Sequence, residues 1–187
     1  MQFDKIFENI DYSLQRLPKD DYDSCVFINC DFSGSRISNT DFIECRFVNC
    51  NLSNVEVIHT SFKEVKFEDC KIVGVNFSAC NPFLLSFSFE NCQLGYSVFY
   101  QLEIKDTIFR NCNLEEVDFT ETVLTNSLFD DCDCNRAVFE NTNLEKSDFY
   151  SSIHYSIHPE NNRISKAKFS KEGVLGLLEE YYISIRD

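Results

Sequence analysis

The apolar positions of this chain recur every five residues. From Lys105 to Phe149 one register holds Phe109, Leu114, Phe119, Leu124, Phe129, Phe139, Leu144 and Phe149, with Cys134 filling its gap. Two residues ahead of each lies something small: Thr107, Cys112, Val117, Thr122, Ser127, Cys132, Ala137, Thr142 and Ser147. Asn, Asp, Glu, Lys and Arg crowd the places between. A period of five fits neither the helical period of ~3.6 nor the strand period of ~2. A helix with this pattern would smear its apolar residues around the whole circumference. A fixed repeat sustained over so many units predicts a solenoid.

The same register opens near the N-terminus, running from Phe7 through Tyr12, Leu17, Tyr22 and Phe27 to Phe77. Its small position is imperfect at Lys5, Ile10, Gln15 and Asp20, which marks residues 1–20 as an irregular cap. Phe77 is followed by Leu84 across Asn81-Pro82-Phe83, a two-residue insertion with Pro at the bend. The register breaks over residues 81–87, and Leu84 is expected to resume the inward column. It fails again at His154 and Pro159 and returns at Ile164 and Phe169.

A longer period gives the cross-section. Phe27, Phe47 and Phe67 are 20 apart, as are Cys30, Cys50 and Cys70. With the insertion added, Phe89, Phe109, Phe129, Phe149 and Phe169 continue one column, and Cys92, Cys112 and Cys132 the other. Both columns survive only if 20 residues complete one coil of four sides and the insertion bulges outward. The expected fold is all-β: a quadrilateral β-helix of about eight coils over residues 1–169, roughly 40 Å long at the sheet spacing of ~4.8 Å. Residues 170–187 form a separate C-terminal segment. Ser170 is a candidate N-cap, Lys171 to Glu180 reads as a short helix, and Val174, Leu177, Leu178 and Tyr181 fall on one helical face with Leu175 beside them. Tyr181 to Ile185 alternates like a strand. This segment is too apolar for a free end, so it either caps the last coil or contacts a second copy.

Charge and cysteine content narrow the function. A net charge of −14 argues against direct binding to nucleic acid or an anionic membrane. It admits a partner with a basic surface, or no more than solubility. Of ten cysteines, nine hold the small position and Cys134 the large one. No CxxC pair occurs, and no His lies at zinc spacing from a Cys pair, so no metal site is expected. Cys here reads as a small buried hydrophobe, although coils ~4.8 Å apart would also place stacked thiols within the disulfide range of ~4.4–6.8 Å between Cα atoms. Met1 to Pro18 lacks a secretory pattern, and no apolar run approaches the ~20 residues that span a bilayer. A reducing cytoplasm is the expected compartment for so many thiols.

Catalytic chemistry has no visible home. The glycines are scattered, which leaves no phosphate-cradling loop and no cofactor. His154 and His158 flank the Pro159 break. Glu115-Glu116 and Asp130-Asp131 would be solvated and therefore poor general acids. The outer side of a regular rod offers no cleft, so no enzyme is expected. The acids themselves are the candidate surface: Glu115, Glu116, Asp118, Glu121, Asp130, Asp131, Asp133, Glu140, Glu145 and Asp148, against only Arg136 and Lys146 in that stretch. Their near-regular spacing along a rod resembles the phosphates of a B-DNA strand, ~3.4 Å apart. A solvated acidic exterior with no partner fits the same pattern.

These residues resemble the pentapeptide-repeat family, whose unit is a small residue, Asn or Asp, Leu or Phe, and two polar positions. Cys112-Asn113-Leu114-Glu115-Glu116 and Thr142-Asn143-Leu144-Glu145-Lys146 fit fully. The resemblance covers nearly the whole chain and implies a right-handed four-sided β-helix. Thr60 to Phe77, Ser88 to Phe99 and His158 to Glu179 resemble more narrowly the topoisomerase-protecting branch: the quinolone-resistance (Qnr) and the microcin- and albicidin-resistance proteins. That likeness implies a DNA mimic that binds DNA gyrase or topoisomerase IV through the acids above. It also implies a homodimer joined through Val174, Leu175, Leu177, Leu178 and Tyr181, roughly 80 Å long, or about 23 base pairs at ~3.4 Å each. Certain members of that branch carry long loops needed for protection, whereas the only insertion here is the one at Asn81 to Phe83. The alternative is an interaction scaffold with no topoisomerase role.

Overall fold

The computed structural model describes residues 1–184 and Arg186. Eleven short strands occur: β1 (Gln2–Phe3), β2 (Ile6–Glu8), β3 (Tyr22–Asp23), β4 (Val26–Ile28), β5 (Asp41–Ile43), β6 (Arg46–Val48), β7 (Ser61–Lys63), β8 (Val65–Glu68), β9 (Phe87–Glu90), β10 (Ile108–Arg110) and β11 (Leu128–Asp130). All pair in parallel. One side of the rod is a seven-stranded sheet in the order β11-β10-β9-β8-β6-β4-β2; another is a four-stranded sheet, β1-β3-β5-β7. The partners are residues 20 apart, such as Phe27↔Phe47 and Phe109↔Phe129, or 22 apart across the insertion, as in Phe67↔Phe89. Twenty residues therefore complete a coil of four sides. The side with the seven-stranded sheet is the first, and the others follow in chain order around Leu114, Phe119 and Leu124.

The core explains why the register is so strict. Phe7, Phe27, Phe47, Phe67, Phe89, Phe109, Phe129, Phe149 and Phe169 form one continuous stack, with centroids 4.2–5.7 Å apart and planes within 18°. Phe77, Phe99, Phe119 and Phe139 form a second. The two stacks meet edge to face, as at Phe109–Phe119, 5.8 Å and 79°. Each such pair adds about 0.5–1.5 kcal/mol beyond burial. A slip of one residue would exchange the rings for charged neighbours.

The small position does more than save space. Where it is Ser, Thr, Cys or Asn, the side chain can donate to the carbonyl of an inward residue one coil before: Thr122 Oγ1 to Phe99 at 2.8 Å, Ser147 Oγ to Leu124 at 2.7 Å, Asn162 Nδ2 to Phe139 at 2.8 Å. The thiols of Cys50, Cys112 and Cys132 do the same to Phe27, Phe89 and Phe109 at 3.4–3.6 Å. Eight of the cysteines are thus buried donors rather than plain hydrophobes, and all ten are free and buried. Burial pushes the Cys45 thiol up to about 12 and raises Cys80 and Cys134 as well, so these thiols stay neutral.

The polar positions make the corners. The second residue after most inward ones adopts positive φ, as at Asn29 (53°), Asn49 (51°), Glu116 (54°) and Gly34 (60°). Asn tolerates this region better than most side chains. On the first side these corner amides form a ladder: Asn49 donates to Asn29 at 2.7 Å and Asn111 to Asn91 at 2.8 Å. Stacked amides stabilise in-register parallel strands. The residue just before the inward one carries Asn or Asp because its side-chain oxygen accepts the N–H two residues on. Asp31 accepts from Ser33 at 2.8 Å and Asn113 from Glu115 at 2.8 Å.

Four expectations need correction. The strand ladder has seven strands and so spans six turns, and the expected count of about eight coils is reached only with the later turns that lack regular strands. Later turns are held by single bridges such as Asn143↔Arg163 and Asp148↔Lys168. The insertion bulges outward as expected, but Leu84 is 66% exposed with φ 56°, and Leu85 takes the inward place. Two extra residues after Pro82 shift the chain by one position relative to a simple resumption. At the failed repeat near His154, Tyr155 and Ile157 turn inward instead. Finally, the C-terminal segment is not an α-helix. It makes two 3-10 turns, Gly173–Leu177 and Glu179–Tyr181, because contact with the last coil, rather than helix propensity, shapes it. Tyr182 sits at φ 50°, so no strand follows, and Ile185 lies outside the described residues.

Phe109→Ala is expected to lower unfolding stability by about 3–5 kcal/mol in a urea titration. Phe83→Ala, on the exposed bulge, is expected to change it by less than about 0.5 kcal/mol. Equal losses would contradict the assignment of inside and outside.

Candidate functional site

Because inward and outward places are fixed by register, the exterior is a grid, and each acid can be placed on it. Asp130, Asp131 and Asp148 lie on the first side, Glu115, Glu116 and Asp133 on the second, Asp118, Glu121 and Glu140 on the third, and Glu145 on the fourth. The ten acids therefore surround the rod rather than forming one vertical row. None is buried.

They fall into three chemical situations. Glu116, Asp130, Asp133, Glu145 and Asp148 each have a basic neighbour one coil away: Arg136 at 3.3 Å, Arg110 at 3.2 Å, His154 at 2.8 Å, Arg163 at 3.1 Å and Lys168 at 2.9 Å. Such exposed pairs contribute at most about 1 kcal/mol each. Asp118, Asp133 and Asp148 also accept the N–H of Thr120, Asn135 and Tyr150 at 2.8–3.1 Å and so belong to the turn scaffold. The Asp148 carboxyl sits below its usual range: partial burial raises it, and the Lys168 ammonium and Tyr150 N–H more than offset this. Glu115, Glu121, Asp131 and Glu140 have no ion pair among the described residues and present free negative charge. Glu121 accepts from Gln101 Nε2 at 2.6 Å.

A second acidic field lies elsewhere. Asp21, Asp23, Asp41, Glu44 and Glu64 share the fourth side, around β3, β5 and β7, where Lys63 pairs with Asp41 at 3.5 Å and the Met1 ammonium with Asp20. A window along the chain hides this group. Reading the sequence in columns of 20 would have found it, since Ser24, Glu44 and Glu64 form one corner column.

The C-terminal segment closes the rod's end. Gly176 O accepts the N–H of Ile157 at 3.0 Å, and Leu177 packs on the core. A Cβ at Gly176 would lie 2.0 Å from the Tyr155 carbonyl oxygen, so only Gly permits this approach. Ser170 Oγ accepts from the Gly173 N–H at 2.9 Å, but the turn starts at Gly173 with Glu172, not Ser170, in the N-cap place. Val174, Leu175 and Tyr181 are exposed, Leu177 and Leu178 half-buried. Leu175, Leu178 and Ile183 frame an apolar notch of about 210 Å³. The segment thus caps the last coil and leaves an apolar outer side.

His154 and His158 take separate carboxylates, Asp133 and Glu180. Among the described residues no three metal-ligating side chains converge, and no helix is long and apolar enough to cross a membrane.

A family model described as a pentapeptide repeat region matches residues 21–87 and 83–156. The full-length structure of QnrB1, a plasmid-mediated fluoroquinolone resistance protein, is similar with a TM-score of 0.65 and 16% identity, covering 97% of this chain and 99% of that one. A trypsin-treated QnrB1 variant gives 0.66 and 16%, covering 99% of each chain. No curated protein matches.

The division of the acids into scaffold and free groups is testable by thermal or urea unfolding. Asp118→Ala is expected to cost about 1 kcal/mol, the usual worth of one such hydrogen bond. Glu140→Gln is expected to stay within about 0.5 kcal/mol. The reverse order would contradict the division.

Proposed function

Because the chain belongs to the pentapeptide-repeat family, we propose that it is a DNA-mimicking protein that binds a type II topoisomerase, DNA gyrase or topoisomerase IV, and shields it from quinolones or peptide toxins. The observation that carries this reading is the combination of a net charge of −14 with a solid, straight-laddered exterior on every side of which carboxylates stand. A duplex also presents charge all around its axis, and a protein groove that binds it is basic. The end-to-end likeness to the fluoroquinolone-resistance protein QnrB1 supports the same partner. Glu115, Glu121, Asp131 and Glu140 would meet the partner's cations, joined by the fourth-side acids Glu44 and Glu64. Two copies would join through Val174, Leu175, Leu177, Leu178 and Tyr181, extending the rod. The protein acts by binding rather than catalysis, in the cytoplasm where the enzyme it guards works.

A scaffold for a different basic partner is the second reading. It is favoured by the spread of acids over all four sides, four of the ten paired with Arg or Lys neighbours, instead of a single unpaired row.

A gyrase supercoiling assay, run with and without a fluoroquinolone, decides between them. Micromolar protein is expected either to inhibit supercoiling or to protect it from the drug, and the triple variant Glu115→Lys, Glu121→Lys, Asp131→Lys to lose the effect. No inhibition and no protection at that concentration would end the topoisomerase reading.

A further inference from the structure

The backbone ladder is open at one place near the N-terminus. On the third side the second and third coils are closed by regular bonds: Glu56 N–H to Ser35 O at 2.9 Å, Ile37 N–H to Glu56 O at 3.0 Å and Asn39 N–H to Ile58 O at 3.0 Å. One coil earlier the same register would join Arg36 N–H to Gln15 O, and the N–H groups of Leu17 and Lys19 to Arg36 O and Ser38 O. Among the described residues none of these bonds forms. Pro18 lies in this stretch, with its φ fixed by the ring, and its carbonyl accepts the Tyr22 hydroxyl at 2.7 Å. Residues 15–19 splay from the coil below, and a cavity of about 410 Å³ opens between them. That lies within the ~300–1,000 Å³ usual for small-molecule sites.

What lines the cavity is cationic, in a chain whose net charge is −14. Arg16, Lys19 and Arg36 converge on it. Arg36 engages Glu56 through Nε at 2.9 Å, while Arg16 and Lys19 have no ion pair among the described residues. Thr40, only 5% exposed, also lines the cavity. Its counterpart Thr60 donates to the Ile37 carbonyl at 2.9 Å; Thr40 makes no such bond to Leu17 among the described residues. The opening is therefore flanked by three backbone N–H groups without ladder partners, by Thr40, by the cations of Arg16 and Lys19, and by Arg36, whose partner Glu56 also accepts from Ser38 Oγ at 3.0 Å.

We propose that this cleft between the first two coils binds a phosphate-type oxyanion, held by the Arg16, Lys19 and Arg36 side chains and the N–H groups of Leu17, Lys19 and Arg36. Backbone N–H groups left unpaired in a concavity form anion sites, and guanidinium donors match the oxygen spacing of phosphate. A tetrahedral, multiply charged ion uses donors arriving from both coils, whereas a single carboxylate engages two oxygens in one plane. The acidic remainder of the rod discourages anions everywhere else, which makes the cleft selective by position. Filling it would pin the splayed turn onto the second coil in place of the missing ladder bonds. This site is independent of the acidic exterior and of any topoisomerase.

The test is a titration of uniformly ¹⁵N-labelled full-length protein with inorganic phosphate, with phenyl phosphate and with acetate, followed by amide shifts. Saturable changes confined to residues 15–19 and 35–40, weakened at least about tenfold in the Arg16→Gln, Lys19→Gln variant, are expected. Response to both phosphates identifies a monoester or the free ion as ligand; response to inorganic phosphate alone identifies the free ion. Both exchanged side chains are exposed, so circular dichroism should show the variant folded. A linear, unsaturated drift equal to that with acetate, or an unchanged affinity in the folded variant, would overturn the proposal.

Discussion

The structure depends on one constraint: residues 20 apart must lie directly above one another. Parallel backbone pairing and ring stacking both demand it, and they reinforce each other because Phe↔Phe partners in the ladder are also partners in the stack. Neither would specify the fold alone. Strands of two to four residues are too short to hold by backbone bonds only, and stacked rings without a ladder have no fixed height. Together they set the coil at 20 residues and give every position a fixed address, inside or outside. Where the small position carries a donor, it links its coil to the one before, as Cys112, Thr122, Ser147 and Asn162 do.

That address system determines what the exterior can do. Each outward residue has a neighbour above and below at the strand spacing, so charges meet in columns. Where a column alternates sign, as Arg110 with Asp130 or Lys168 with Asp148, charge is cancelled locally. Where it does not, as on the fourth side at Glu44 and Glu64, charge accumulates. The net field is thus a property of columns rather than of sequence neighbours.

Much of this was legible in the residues. The inward register, the two columns and the outward insertion follow from spacing alone, since period is a property of sequence. Three features were not. The exchange of Leu84 for Leu85 turns on how two extra residues are absorbed after Pro82, which the spacing leaves open by one position. The scaffold role of Asp118, Asp133 and Asp148 is invisible to a count of acids, because a carboxylate bonded to the turn and a free one share the same letter. The C-terminal turns are shaped by tertiary contact with Tyr155 at Gly173 and Gly176, and helical spacing of apolar residues could not foresee that override. The open ladder at residues 15–19 gave a faint sign in the imperfect small positions of the first coil.

The most direct measurement is of contacts between aromatic rings in solution, using protein in which only phenylalanine carries the isotope label. Nuclear Overhauser contacts are expected between Phe89, Phe109 and Phe129, each a full coil from the next, and between Phe109 and Phe119 across the core. Contacts confined to rings near in sequence, with none joining Phe109 to Phe129, would contradict the coil and everything built on it.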